Sequence, residues 1–305
     1  MTKLIGITRV KNEADFIEYF ARYNFKILDE LYIADDRSSD DTPKIINLLR
    51  GEGLKIELIP IKDRNARLLN LQGEVMTQLM RHAASKQNTK DCYIFALDAD
   101  EIILGKREEI INLLRALTAN EYALIKWKTF APIKGGLSSI EQLHNIFTPL
   151  IKEQKIFKKV IIPIQHSDKA TIAMGNHDIS FEETNLKSKT LNMELGHFPV
   201  RSADQIVSSA LVRTHKLYLK NRAGSGEGYH TLALTDYLRK LDYKPNNNEL
   251  THIALNYLAH GEYGELDENF DMRTAFPPIA ISYTKNTINP VRALDELLQD
   301  IIINK

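Results

Sequence analysis

The first hundred residues alternate short apolar runs with amphipathic stretches, and this alternation leaves few folds open. Lys3 to Thr8 is a short apolar run with Ile5 and Ile7, and it reads as a strand. From Glu13 to Leu28, Phe16, Phe20, Tyr23 and Ile27 recur at the spacing of an amphipathic helix. Leu31 to Ala34 is a second strand. Asp41 or Thr42 caps the next helix, Pro43 fits its first turn, and Gly53 ends it. Lys55 to Ile61 reads as a third strand, Leu68 to Ser85 as a helix and Tyr93 to Leu97 as a fourth strand. Strands and helices in this order bury their apolar faces as a parallel sheet covered by helices.

A helix over Lys106 to Leu117 follows, then a β-rich run from Ala123 to Phe130 and mixed short strands and loops over 131–200. Beyond Ser202 the pattern becomes helical, at about 203–221, 231–242, 249–260 and 290–303. The expected division is therefore a catalytic α/β domain over 1–200 and a helical extension over 201–305. With 305 residues, 43% hydrophobic and 26% charged, the chain suits a globular protein of this size. Lys plus Arg and Asp plus Glu number 40 each, so no global charge draws the chain to nucleic acid. The one cysteine, Cys92, cannot close an intramolecular disulfide or build a cysteine metal cluster, which fits a reducing, cytoplasmic setting. The N-terminal apolar run is too short for a signal peptide, and no segment approaches the ~20 apolar residues of a membrane span.

Polar clusters fall just after three of the predicted strands: Thr8-Arg9-Val10-Lys11-Asn12-Glu13, Asp35-Asp36-Arg37-Ser38-Ser39 and Asp98-Ala99-Asp100-Glu101. An open parallel sheet binds ligands at the carboxyl ends of its strands, so the three clusters converge on one crevice. The first turn has neither the glycines of a dinucleotide site nor the Gly-Lys-Ser/Thr of a P-loop. Carboxylates repel a diphosphate unless a cation lies between them. Hard divalent ions such as Mg²⁺ or Mn²⁺ accept oxygens from both. Asp98 and Asp100 thus point to a metal-bridged diphosphate. Singly, an Asp-X-Asp is usually a solvated loop or cap, and the Asp35 to Thr42 run reads as a capping turn; their shared end of one sheet favours the site.

Val10-Lys11-Asn12-Glu13-Ala14, the Asp35-Asp36 turn closing with Ser39-Asp40-Asp41-Thr42, and Leu97-Asp98-Ala99-Asp100-Glu101 resemble the family 2 glycosyltransferases. The subgroup is the one with an Asn-Glu-Ala start and an Asp-Ala-Asp-Glu metal motif. His197-Phe198-Pro199-Val200-Arg201-Ser202 resembles a further segment of it. The resemblance covers about residues 3–105, and 195–230 more loosely. It implies a GT-A (Rossmann-like) mixed, mainly parallel sheet flanked by helices, with a nucleotide-diphosphate sugar, often a uridine one, as donor. Asp36 would sit near the base, and Thr8, Arg9, Asn12 and Glu13 would line the base and ribose pocket. Asp98 and Asp100 would contact ribose and metal, with Asp100 the direct ligand. Arg37 departs from the Gly or Asn common at its position. Inversion at the anomeric carbon and a place in bacterial surface glycan assembly follow from the likeness alone, with a glycan or glycolipid as acceptor.

An inverting enzyme needs a general base for the acceptor hydroxyl. Asp178, in Gly175-Asn176-His177-Asp178, is the first candidate and Glu227 the second; a surface carboxylate is the plain alternative for each. His197 is a candidate third metal ligand beside Arg201, which with Arg213 and Lys216 is a candidate diphosphate contact. His177 could act likewise, although isolated histidines mostly pack. Gly224 to Gly228 reads as a lid. Trp127 and Tyr122 read as a sugar platform or as core. The apolar stripe of Pro290 to Ile303 reads as a packing or dimer face, with membrane-surface contact as the lesser alternative. Two other classes stay open. A sugar-phosphate nucleotidyltransferase shares the sheet but wants a glycine- and arginine-rich first loop, and a non-catalytic nucleotide- or carbohydrate-binding protein shares the scaffold.

Overall fold

The structure is a computed structural model, and it describes residues 1–61, 72–133, 142–153, 155–181, 186–219, 229–257 and 264–303. It comprises two units. The first is Met1–Lys128 with Ile156–His197, and the second is Thr129–Lys155 with Phe198–Lys305. The second unit therefore takes a segment from the middle of the chain as well as the expected C-terminal part. The cause is one long strand, whose far end finds a partner inside that segment.

The strands are β1 (Lys3–Val10), β2 (Glu30–Asp35), β3 (Ile56–Pro60), β4 (Cys92–Asp98), β5 (Glu101–Ile103), β6 (Glu121–Pro132), β7 (Phe147–Pro149), β8 (Lys158–Pro163), β9 (Ala170–Ile172), β10 (Ile179–Phe181) and β11 (Lys187–His197). The main sheet runs β3-β2-β1-β4-β8-β6-β11-β5. Its first four strands are parallel, as the alternation requires. The β4–β8, β8–β6 and β11–β5 pairs are antiparallel, so the sheet is mixed and carries helices, in the α/β class expected. The long strand is β6. Its residues Ala123 to Lys126 pair with β8, and Phe130 to Pro132 pair with β7 within the second unit. A hairpin, β9 with β10, stands apart from the main sheet.

Helix Gln72–Ser85 shows what holds the first unit together. Met76, Leu79, Met80 and Ala83 recur at helical spacing, and all are buried with Ile5, Ile7 and Ile94 in one core. Each large side chain so buried stabilises the fold by about 1.5–3 kcal/mol. Helix Ile17–Asn24 is shorter than the predicted one, because residues 13–16 form the turn leading into it. Helix Thr42–Gly51 begins where expected, and Gly53 past its end holds a positive φ of 98°. The carboxylate at its start is Asp40 rather than Asp41: Asp40 accepts from the backbone N–H of Thr42 at 2.9 Å and of Ala14 at 3.0 Å.

In the second unit, helices Ala203–Leu219, Tyr229–Lys240, Asn247–Leu255 and Pro290–Ile303 match the predicted helical run. Val200, Ile206, Val207, Leu238, Leu250 and Ile253 form its core. Asn246 and Glu249 close a capping box on the third of these helices. The last helix packs on the first through Ala293 and Leu297, while Val291 and Leu298 are exposed. Among the described residues no helix is long and apolar enough to cross a membrane.

Candidate functional site

The parallel register sets the ends of three strands side by side. Val10 lies opposite Asp35, and Arg9 lies opposite both Ala34 and Asp98. Thr8 and Asp36 are buried at this edge, at 0% and 2% exposure. Arg9 Nη2 donates to Asp36 Oδ2 at 2.7 Å. Asp36 Oδ1 and Thr8 Oγ1 are buried and make no hydrogen bond. A buried polar atom left unpaired costs about 1–3 kcal/mol, so each of these two atoms gains by meeting a polar partner.

The neighbouring residues build the walls. Asn12 Oδ1 accepts from the backbone N–H of Ser39 at 2.8 Å, and the Asn12 N–H donates to Ser38 Oγ at 2.9 Å. Asp35 accepts from Ser38 Oγ at 2.6 Å. The Glu13 N–H donates to Thr42 Oγ1 at 2.8 Å. Asn12, Asp35 and the Glu13 backbone therefore fasten the β1 and β2 turns to each other. Asn12, expected as a pocket residue, has its amide oxygen in the turn. Arg37, the departure from the family pattern, stands at φ 54°, the left-handed region that Gly or Asn enters at least cost. The turn keeps its shape at a strain of about 1–2 kcal/mol.

Asp98 and Asp100 diverge in environment. The half-buried Asp98 forms an ion pair with the ammonium of Lys159 from β8. It also accepts from Asn176 Nδ2 at 2.9 Å and Gln72 Nε2 at 3.3 Å. Burial pushes its carboxyl up, but the Lys159 charge and hydrogen bond outweigh this and hold it below the usual range. Lys159 is wholly buried; its Nζ also lies 3.3 Å from Glu101 Oε1, donates to the Gly175 carbonyl at 2.6 Å, and sits 5.1 Å above the Trp127 ring. The buried Glu101 accepts from the Trp127 indole N–H and from the Asp98 N–H. Asp100 has a side chain 21% exposed and comes within 3.8 Å of His197 Nε2. That meeting follows from register, since His197 on β11 lies opposite Glu101 on β5.

Of the sequence-predicted residues, Thr8, Arg9, Asp36, Asp98, Asp100 and His197 all fall in the first unit at these strand ends. Asp178 is exposed, two residues from Asn176, and accepts from the Tyr122 hydroxyl at 2.6 Å. Arg201 belongs to the second unit, where it is buried. Its N–H donates to Gln205 Oε1 at 3.1 Å and its guanidinium to the Phe198 carbonyl at 3.5 Å. Glu227 and the Gly224 to Gly228 stretch lie outside the described residues. Trp127 and Tyr122 take the core alternative, at 7% and 6% exposure. Trp127 stacks on His197 with ring centroids 4.0 Å apart. Sequence reasoning passed over Lys159, Asn176 and Gln72. For Lys159 the signal was a lysine at the head of the apolar run Val160-Ile161-Ile162, where a buried ammonium requires a carboxylate partner.

One ammonium cannot neutralise two carboxylates. Burial, reinforced by Asp98 and Asp100, accordingly pushes the Glu101 carboxyl up to about 8 against the pull of Lys159. A raised carboxyl pKa means that the folded state holds a proton the unfolded chain has released, so stability falls as pH rises from about 4.5 to 8 and is level above. Burial and the Lys159 charge lower the His177 pKa, so His177 is neutral throughout the upper part of that window. Two readings are expected between about pH 7 and 8.5: a falling urea midpoint, and a change in the fluorescence of Trp127, the only tryptophan, centred near 8. Both should vanish in Glu101→Gln; a midpoint that persists in that variant would assign the transition elsewhere.

No protein-family model matches this sequence, and no curated protein matches it. Solved structures do. TarS 1–349 of S. aureus in complex with UDP is similar at 12% identity and a TM-score of 0.38, over 94% of this chain and 98% of that one. A mannosyltransferase of Pyrobaculum calidifontis, in complex with GDP-Man and Mn²⁺, is similar at 16% identity and a TM-score of 0.31. That match spans 41% of this chain and about a third, 35%, of the other. The likeness is too loose to place any residue.

Proposed function

We propose that the chain is a glycosyltransferase whose donor is a nucleoside-diphosphate sugar, of uridine type, and whose acceptor is a hydroxyl of a glycan or glycolipid. The observation that carries this reading is the pair of orphaned buried atoms, Asp36 Oδ1 and Thr8 Oγ1, at the same strand edge as the Asp98–Asp100 turn. The Asp36 Oδ1, whose fellow oxygen is held by Arg9, is an acceptor for the N–H of a base, and the Thr8 hydroxyl on β1 can donate or accept.

The donor set fits a divalent cation held partly by its ligand. Among the described residues no group of three or more His, Cys, Asp or Glu side chains stands ready to hold an ion. Mg²⁺ and Mn²⁺ at phosphate sites commonly take one or two protein donors and draw the remainder from phosphate and water. Asp100 and His197 are the residues that would hold the ion. When bound, it neutralises charge on the leaving diphosphate. An acceptor hydroxyl needs a general base, and Asp178 is the described carboxylate put forward for it.

The test is a calorimetric titration of UDP with and without Mn²⁺. Binding that requires Mn²⁺ is expected. Asp36→Asn, by exchanging an oxygen for an NH₂ that faces the base N–H, should weaken it about 10- to 100-fold, the value of a charged hydrogen bond. UDP that fails to bind in either condition removes the uridine assignment. Pyrophosphate release from a nucleoside triphosphate would turn the reading to a nucleotidyltransferase.

A further inference from the structure

Lys159 deserves a role because of where its charge sits. Its ammonium is paired with Asp98, lies 3.3 Å from Glu101, and is anchored by the Gly175 carbonyl at 2.6 Å. The anchor is itself built: Gly175 has a φ of 74°, and a Cβ there would meet the His177 ring at 2.6 Å. Asn176 follows at φ 59°, fully buried, with Nδ2 on Asp98 Oδ1. Glycine enters the left-handed region without strain, whereas the left-handed Asn176 costs conformational energy. Together they point a carbonyl at Lys159 and an amide at Asp98. Both Asp98 oxygens thus have partners: Oδ2 has Lys159, while Oδ1 has Asn176 and Gln72.

A divalent ion bound by Asp98 would have to displace the ammonium or sit beside it. The first strands a buried lysine charge. The second sets like charges a few ångströms apart in a poorly solvated site, where they repel strongly.

We propose that Lys159 is the resident counter-ion of the acidic turn: it withdraws Asp98 from metal binding and assigns the divalent cation to Asp100 with His197. This rests on the reading of a metal-bridged diphosphate given above. Lys159 is a positioning residue here, since it is wholly buried and acts through Asp98. The consequence is a site with little affinity for metal alone and full affinity only when nucleotide phosphates complete the shell.

The experiment is Mn²⁺ binding to the full chain, followed by the loss of the free-ion electron paramagnetic resonance signal, with and without UDP. Wild type should bind Mn²⁺ weakly alone and tightly with UDP. Asp98→Asn should leave the Mn²⁺ affinity of the UDP complex within about threefold, because Asp98 is not a ligand. Lys159→Met, which releases the carboxylate charge, should bind Mn²⁺ alone about tenfold or more tightly than wild type, and adding Asp98→Asn should cancel the gain. Loss of Mn²⁺ binding in Asp98→Asn, or an unchanged affinity in folded Lys159→Met, would overturn the proposal. Should Lys159→Met not fold, the Asp98→Asn arm, in which Glu101 at 3.3 Å still balances the lysine, decides by itself. Should UDP fail to bind at all, the donor reading falls, and the Mn²⁺-only comparison of wild type with Lys159→Met still tests the counter-ion.

Discussion

Replacing Asp100 by Ala should abolish the metal-dependent part of nucleotide binding and lower turnover about 10²- to 10³-fold, the usual loss when one preorganised charge-stabilising group is removed. The substitution is informative because its structural cost is small. Asp100 sits in the two-residue turn between β4 and β5 with a fifth of its side chain exposed, so its truncation to Ala breaks no strand pairing. Release of UDP from a panel of UDP-sugars measures the effect without knowledge of the acceptor. Thermal unfolding checks that the fold has survived. Turnover within twofold of wild type would show that Asp100 holds no catalytic ion. A loss equally large without added metal would assign it a direct contact with substrate.

The second large effect is one of stability, and its sign opposes local propensity. Gly73 lies in the first turn of helix Gln72–Ser85. In an exposed helix, Gly→Ala gains up to about 1 kcal/mol. Here an added Cβ would meet the Ile172 carbonyl oxygen at 2.6 Å, and that oxygen is backbone. The hairpin backbone lies directly against the helix here, and one hydrogen bond of Thr77 crosses between them. Thr77 Oγ1 donates to the Gly73 carbonyl at 2.7 Å and accepts from the Ile172 N–H at 2.9 Å. Gly73→Ala should therefore destabilise the protein by about 1–3 kcal/mol, as overpacking does, and lower the melting temperature by several degrees. The same shift would disturb the site, because the helix brings Gln72, and the β9–β10 hairpin brings Asn176, to the Asp98 carboxylate. A variant as stable as wild type would mean that the β9–β10 hairpin yields freely, and UDP binding would then be expected unchanged.

Much of the first unit was legible because its signals are local. Periodicity in Met76, Leu79 and Met80 reports burial of one helix face, whereas the helix after Phe16 is buried on nearly every side. The alternation with apolar runs reports a parallel sheet. The polar clusters after β1, β2 and β4 were legible for the same reason: a strand end is a local event, and parallel pairing places all such ends together. The antiparallel half was less legible. β8, β6 and β11 pair across long separations, and no short motif announces which strand lies beside which. The unit boundary inside β6 is not marked by glycine, proline or a change of composition, since the strand simply outlasts one partner and meets another.

The carboxylates themselves show where sequence stops. Asp36, Asp98, Asp100 and Glu101 were visible as acidic residues at strand ends, and that placement the sequence alone determined. Their separate fates were decided by tertiary structure. Asp98 meets a lysine 61 residues further along the chain. Asp100 meets His197 through the β5–β11 register. Glu101 is closed off under Trp127, and Asp36 keeps one oxygen unpaired. The charge state and availability of a carboxylate depend on burial and on the ions within a few ångströms, and those neighbours are assembled by pairings between strands far apart in sequence, which no local pattern encodes.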